Sequence, residues 1–462
     1  MRYTRLSHLV PLLLALSAPF AALANPFEHQ LSNGLRIIVK EDHRAPTVAH
    51  MVWYRAGSVD ETNGTTGVAH VLEHMMFKGT PTAGPGEFNR RVAAAGGRDN
   101  AFTSRDYTAY FQQVPKQTLE AMMLLEADRM RHLNLDAKEF AQEIKVVMEE
   151  RRLRTDDQPQ SMLFEQMSGV AFQSHPYRVP IIGWMNDLEN MTVQDARDWY
   201  ERWYVPNNAY VVIVGDVEHE QIFRLAEKYY GPLAARTLPG RKPQNEPEQT
   251  GIRRLTVKAP AELPVVLMAY KVPVIRDVEK DTDPYALEML SAILDGHDAA
   301  RFSRHLIREQ RLAVAAGVGY DATGRGPGMF YVQGSPSEGK TPAELEAGFR
   351  GELAQIQKNG VTAEELIRAK AQLVASQIYK LDSMFGQAME IGQLESAGIP
   401  HKLNQRMIEK LQAVSAAQVQ LVAQKYLRDD VLTVAELDPQ PLPQSPQSSP
   451  QAPRTRAAAP RH

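Results

Sequence analysis

Apolar positions along the first half of the chain fall into two spacings. "LRIIVKED" from Leu35, "TVAHMVWYRAGS" from Thr47, "DYTAYFQQV" from Asp106 and "NAYVVIVGDV" from Asn208 are short runs rich in β-branched and aromatic residues. Bounded by turn-forming residues, they read as strands. Between them apolar residues recur every three to four positions, which predicts helices over 67–78, 118–132, 137–154 and 193–204. The same vocabulary returns after residue 251: "RRLTVKAP" and "PVVLMAYKVP" as strands, a helix over 284–294, then two long helices and the strand "VLTVAEL". Strand and helix runs that do not alternate regularly favour an α+β fold, each sheet mainly antiparallel and layered with helices, over a doubly wound one.

The two segments resemble each other. "LENMTVQDARDWYERWYVPNNAYVVIVGDV" from Leu188 parallels "LQAVSAAQVQLVAQKYLRDDVLTVAEL" from Leu411: a capped amphipathic helix, a tyrosine, a polar turn and an apolar strand. "VAHVLEHMMFKG" ending at Gly79 likewise parallels "YALEMLSAILDG" ending at Gly296, which sets His70, Glu73 and His74 opposite Leu287, Leu290 and Ser291. The second copy keeps the helix and loses these polar groups. The Pro-bearing polar stretch "LPGRKPQNEPEQTG" separates the copies, giving domains at 25–240 and 254–437 with a linker at 241–253. The Pro/Gln/Ser-rich end, 438–462, lacks apolar periodicity and is expected to be a disordered tail.

Composition narrows the function. The chain of 462 residues has no Cys, which excludes disulfides, and its net charge of −3 argues against a nucleic-acid or anionic-membrane partner. The first 24 residues place Arg2 and Arg5 before an apolar run ending in Ala22-Leu23-Ala24, the layout of a cleaved secretory signal peptide. A mitochondrial presequence competes, but it would be amphipathic rather than nearly continuous in Leu and Ala. The run is too short for a stable membrane anchor. The expected location is a bacterial periplasm.

Within "TTGVAHVLEHMMFKGT", His70, Glu73 and His74 occupy positions i, i+3 and i+4, so they share one helix face. Two imidazoles one turn apart can reach one Zn²⁺ and the glutamate beside them can deprotonate water at the metal, an H-x-x-E-H order. With 13 His in the chain, chance would produce this pentapeptide in on the order of a few per cent of such sequences. A catalytic zinc needs a third ligand. In "DAKEFAQEIKVVMEERRLR" the apolar stripe Phe140, Ile144, Val147 and Met148 places Glu143 and Glu150 beside Val147, with Glu149 opposite. Glu150 is the candidate ligand and Glu143 a supporting carboxylate. The competing reading makes all three solvated charges on a surface helix.

With "HVLEHMMFKGT", "GGRDNAFTSRDYTAYF", "QEIKVVMEER", "HPYRVPIIGW" and "YVPNNAYVVIVGDV" in view, the sequence resembles the pitrilysin-like M16 metallopeptidases, in particular the short members akin to the mitochondrial processing peptidase β subunit. The likeness runs from about Pro26 to Leu437, and the 76-residue step from His74 to Glu150 matches the family's spacing. It implies one zinc per chain on His70, His74 and Glu150, Glu73 as general base, and Glu143 in support. Asn100, Ala101 and Phe102 correspond to an edge strand on which substrate is held as an added strand. The fold implied is half of a clamshell.

One departure limits that likeness. Single-chain active relatives carry an Arg and, seven residues later, a Tyr in text like "LREEQGLAY"; here "LIREQRLAV" has Ile307 and Val314. Arg308 is off by one, and Tyr320 is near in sequence only. The resemblance therefore implies a zinc-dependent endopeptidase cleaving extended peptides or unfolded segments, acting as the catalytic subunit of a heterodimer whose paralogous partner supplies the Arg/Tyr pair. A homodimer is the competing assembly, and a non-catalytic structural subunit the competing function.

Overall fold

The computed structural model describes residues 26–442. The proposed signal peptide, and all but the first residues of the proposed tail, lie outside that range. Eleven strands form two sheets. The first contains β1 (Phe27–Gln30), β2 (Arg36–Glu41), β3 (Thr47–Tyr54), β4 (Arg98–Thr103), β5 (Thr108–Pro115) and β6 (Ala209–Gly215), in the order β1-β2-β6-β3-β5-β4. The second contains β7 (Arg253–Pro260), β8 (Val265–Val272), β9 (Ala313–Tyr320), β10 (Gly328–Pro336) and β11 (Leu432–Gln440), in the order β7-β11-β8-β10-β9. Each sheet is antiparallel except for one parallel pair, β2 with β6 and β7 with β11. Apart from β1 the two orders superpose strand for strand, so the internal likeness read in the sequence is a likeness of topology.

Helices of the first half are α1 (Val68–Met75), α2 (Glu87–Ala94), α3 (Leu119–His132), α4 (Ala137–Arg151), α5 (Pro159–Ala171), α6 (Met185–Asn190), α7 (Val193–Trp203) and α8 (His219–Tyr229). Those of the second are α9 (Asp283–Asp295), α10 (Pro342–Asn359), α11 (Ala363–Asp382), α12 (Met384–Ser396), α13 (Asn404–Ala413) and α14 (Ala416–Tyr426). Their starts are written locally. Asp136 accepts from the N–H groups of Lys138 and Glu139 to begin α4, while Thr192 with Asp195 and Ser415 with Gln418 form capping boxes on the equivalent helices α7 and α14. Val68, Val71, Leu72 and Met75 of α1 lie within the main core of the first half, and Leu287 and Leu290 of α9 within that of the second.

The halves exchange helices. α5, from the first segment, sends Leu163, Met167 and Ala171 onto Val257, Ala259, Val265 and Leu267 of the second sheet. In return α12 lays Ala388 and Ile391 against Met51, Trp53, Tyr210 and Val212 of the first sheet. Each sheet thus has its own segment's helices on one face and a borrowed helix on the other, and packing units cross the sequence boundary between segments.

Three boundaries differ from expectation. The helix expected over 137–154 is α-helical only to Arg151, and Arg152–Asp156 widens into a π-helical turn. Residue 253, assigned to the linker, is the first of β7. Asp438–Gln440, assigned to the tail, pair with Lys258–Pro260. β11 has by then outrun β8, whose pairing ends at Leu437. Pro439 therefore sits where one side of the strand needs no N–H donor, and composition alone concealed a strand end.

Candidate metal centre

α1 brings the first three side chains together, and its start is fixed by two close backbones. Gly67 (φ 88°) and Gly183 (φ 85°) are left-handed and face each other, and a Cβ on Gly67 would meet Ile182 O at 2.5 Å. The Asp187 carboxylate of α6 accepts from the N–H groups of Gly64 and Thr66 and from the Thr66 hydroxyl, tying α6 to the turn that leads into α1. Glu61 accepts from the N–H groups of Gly67 and Ala69 and so caps the start of α1, while burial pushes its pKa up to about 8.

On this base His70 and His74 sit one turn apart on the helix, their rings edge-to-face with centroids 4.8 Å apart. From α4, Glu150 Oε2 lies 3.2 Å from His74 Nε2 and 3.8 Å from His70 Nε2. One donor atom from each of the three residues falls within 4.8 Å of the others. Zinc ligands at about 2.0–2.2 Å in a tetrahedral arrangement lie about 3.3–3.5 Å apart, so two imidazoles and a carboxylate at this spacing fit a zinc ion once their side chains draw in. Glu143 Oε1 takes His74 Nδ1 at 2.9 Å, which leaves Nε2 as the nitrogen turned toward Glu150. His70 is held neutral, as a ligand must be: burial, then His74 and Arg154, push its pKa down to about 3. Burial also lowers His74, but the hydrogen bond that its Nδ1–H donates to Glu143 and the charges of Glu150, Glu73 and Glu143 outweigh it, and its pKa rises.

Glu73 projects from the same face and its hydroxyl partner is Thr103, which donates to Oε2 at 2.5 Å. Burial raises the Glu73 pKa, opposed by Thr103 and His74. Asn100, Ala101 and Phe102 lie in β4, an outer strand of the first sheet, so the edge expected from the resemblance is there; Asn100 is exposed and is a strand residue rather than part of a turn. All these residues except Glu143 line one cleft of about 920 Å³, which Val146, Leu153, Ile181 and Ile182 also line.

Four further residues shape the site. Arg154 Nη1 forms an ion pair with the other Glu150 oxygen at 2.6 Å, and Lys78 pairs with Glu143. Arg151, buried beside Glu150, donates to Gly183 O and to both oxygens of Glu165, anchoring the end of α4. Thr103 is the fourth. Arg154 was findable, since it stands four residues after Glu150 on one helical run; the others join elements distant in sequence. Among the described residues the second half contributes no side chain to the cleft. Val314 is exposed on β9, Arg308 donates to Asp298 O, and Tyr320 donates to Pro273 O and lines a separate cavity of about 470 Å³.

The chain belongs to peptidase family M16. The family model described as "Insulinase (Peptidase family M16)" matches residues 36–183, and that described as "Peptidase M16 inactive domain" matches 190–373. A zinc protease, PqqE, of Helicobacter pylori is 34% identical over 80% of this chain and 84% of its own. The crystal structure of a protease from Helicobacter pylori superposes with a TM-score of 0.85 at 30% identity, covering 90% of this chain and all of that one. The fold also matches the periplasmic protease PqqL from Escherichia coli, with a TM-score of 0.77 at 19% identity, over 90% of this chain and 48% of that one. Among the described residues no helix is long and apolar enough to cross a membrane.

Proposed function

We propose that this chain is a zinc-dependent endopeptidase subunit that hydrolyses extended peptides. The observation that carries the reading is the convergence of His70, His74 and Glu150 beside Glu73 at an exposed sheet edge. The chemistry a zinc ion supplies at such a site is Lewis-acid polarisation of a carbonyl and acidification of water. Glu73, raised by burial toward the range of a useful base, takes the proton of the attacking water and returns it to the leaving amine. The open side of β4 offers backbone N–H and C=O groups to a substrate strand, so binding tolerates many sequences. The apolar wall of Val146, Leu153, Ile181 and Ile182 then favours apolar side chains next to the cut bond.

The chain supplies one half of an enclosing chamber. This is supported by its covering 48% of the Escherichia coli chain and by Ile307 and Val314 standing where the resemblance calls for Arg and Tyr. The partner is a paralogous M16 subunit, with a homodimer as the alternative outcome, and the signal-like pattern of the first residues supports a periplasmic location. The same departure at Ile307 and Val314 favours a second reading, a non-catalytic subunit. Co-purification of the native complex, followed by peptidase assay with wild-type and Glu73→Gln chains, separates them. A catalytic subunit loses hydrolysis on that substitution with zinc retained; unchanged cleavage by the variant complex assigns catalysis elsewhere.

A further inference from the structure

Thr103 stands at the meeting point of the substrate edge and the candidate base. β4 alternates its side chains, so Ala101 and Thr103 share the face turned to α1 while Asn100 and Phe102 take the other; Ala101 is buried in the core that contains α1. The Thr103 hydroxyl therefore arrives at Glu73 and donates to Oε2. Among the described residues no other side chain hydrogen-bonds Glu73, whose three rotatable bonds leave the carboxylate free to swing unless it is held. Thr103 itself is fixed. It pairs with Thr108 across the hairpin, and the Ser104 N–H closes the turn on Tyr107 O. Asp106 in that turn accepts from the Tyr177 hydroxyl at 2.7 Å and from the Arg325 N–H at 2.9 Å, pinning the hairpin to the second half.

We propose that Thr103 is a positioning residue for Glu73. Its hydroxyl engages Oε2, holds the carboxylate in one rotamer and leaves Oε1 as the oxygen free for proton transfer. Because Thr103 ends the strand on which substrate would pair, the base is held in register with the substrate backbone rather than with α1 alone. This rests on the assignment of Glu73 as general base.

The test compares wild type with Thr103→Val, which removes the donor while keeping shape and strand preference, and Thr103→Ser, which keeps the hydroxyl. Crystal structures of the three zinc-loaded chains, zinc content, and kcat and KM in the native assembly are the readouts. All three should bind zinc equally. Glu73 should leave its wild-type rotamer in T103V and keep it in T103S. kcat should fall roughly 10–100-fold in T103V with KM nearly unchanged, since misplacing a reacting group by ~1 Å costs on that order, and should recover in T103S. Glu73 keeping its rotamer in T103V, or T103S failing as badly as T103V, would overturn the proposal. A displaced Glu73 in a chain whose wild type hydrolyses no peptide would uphold the positioning role and remove the peptidase reading instead.

Discussion

Glu143 of α4 and His74 of α1 are joined by a 2.9 Å contact from carboxylate oxygen to Nδ1, with Lys78 on the second carboxylate oxygen. Burial works against the Glu143 charge, but His74 and Lys78 outweigh it and hold the carboxyl below its ordinary pKa. The imidazole is thereby fixed in orientation and made a better donor at its other nitrogen. Glu143→Ala should weaken zinc binding about 10–100-fold without abolishing it. Competition against a chelator of known affinity measures this, and an unchanged affinity would remove Glu143 from the site.

Arg325, on the loop between β9 and β10, reaches the first half with two parallel hydrogen bonds of 2.8 and 2.9 Å to Asp60, which is nearly inaccessible to solvent. Arg241 shares the same carboxylate. Asp60→Ala leaves Arg325 partly buried without its two-point carboxylate partner, and should cost roughly 2–4 kcal/mol in chemical unfolding. Arg325→Ala should cost less, since Arg241 still neutralises Asp60. A reversed order would show that the contact does not clamp the halves.

Glu395 of α12 ties the halves electrostatically. Burial opposes its charge, yet the hydrogen bonds from His401 and Arg36 hold its pKa down to about 2 from an ordinary 4.5. A folded value below the unfolded one gives stability that is complete above pH 4.5 and lost as pH falls toward 2. Between pH 6 and pH 3 this group should account for roughly 2 kcal/mol of lost stability. Glu395→Gln should be less stable at pH 6 and less acid-sensitive by about that amount. Urea titrations at the two pH values decide it, and equal acid losses in both proteins would contradict it.

Gly392 of α12 lies on the Trp53 indole, where an added Cβ would come within 2.1 Å of two ring atoms. Alanine gains about 1 kcal/mol of helix propensity over glycine. The fully buried indole cannot yield, and overpacking costs roughly 1–3 kcal/mol, so Gly392→Ala should destabilise despite its propensity gain. A raised melting temperature would show that α12 shifts freely over the first sheet.

Much of this site is legible in the sequence, because its chemistry is periodic. His70, Glu73 and His74 share a face by helical spacing alone, and the stripe through Val147 separates Glu150 from Glu149, which is indeed exposed. The depleted copy was legible for the same reason: Leu287 and Leu290 continue the apolar period of α9. What escaped were contacts between elements. α5 has apolar residues at helical spacing, yet nothing in Leu163, Met167 and Ala171 says that they belong to the other half's sheet. Thr103 and Asp60 are ordinary polar residues until the hairpin and the Arg325 loop bring their partners. The widened turn after Arg151 has no composition of its own, and Pro439 concealed a strand that needed no donor on one side.

Zinc stoichiometry of the folded, purified chain tests the three-ligand centre most directly. After dialysis against zinc and removal of free metal, the wild type and Glu73→Gln should each carry one zinc per chain, while His70→Ala, His74→Ala and Glu150→Ala should lose it with their folded circular dichroism intact. A folded wild-type chain without zinc, or ligand variants that retain a full equivalent, would contradict the assignment.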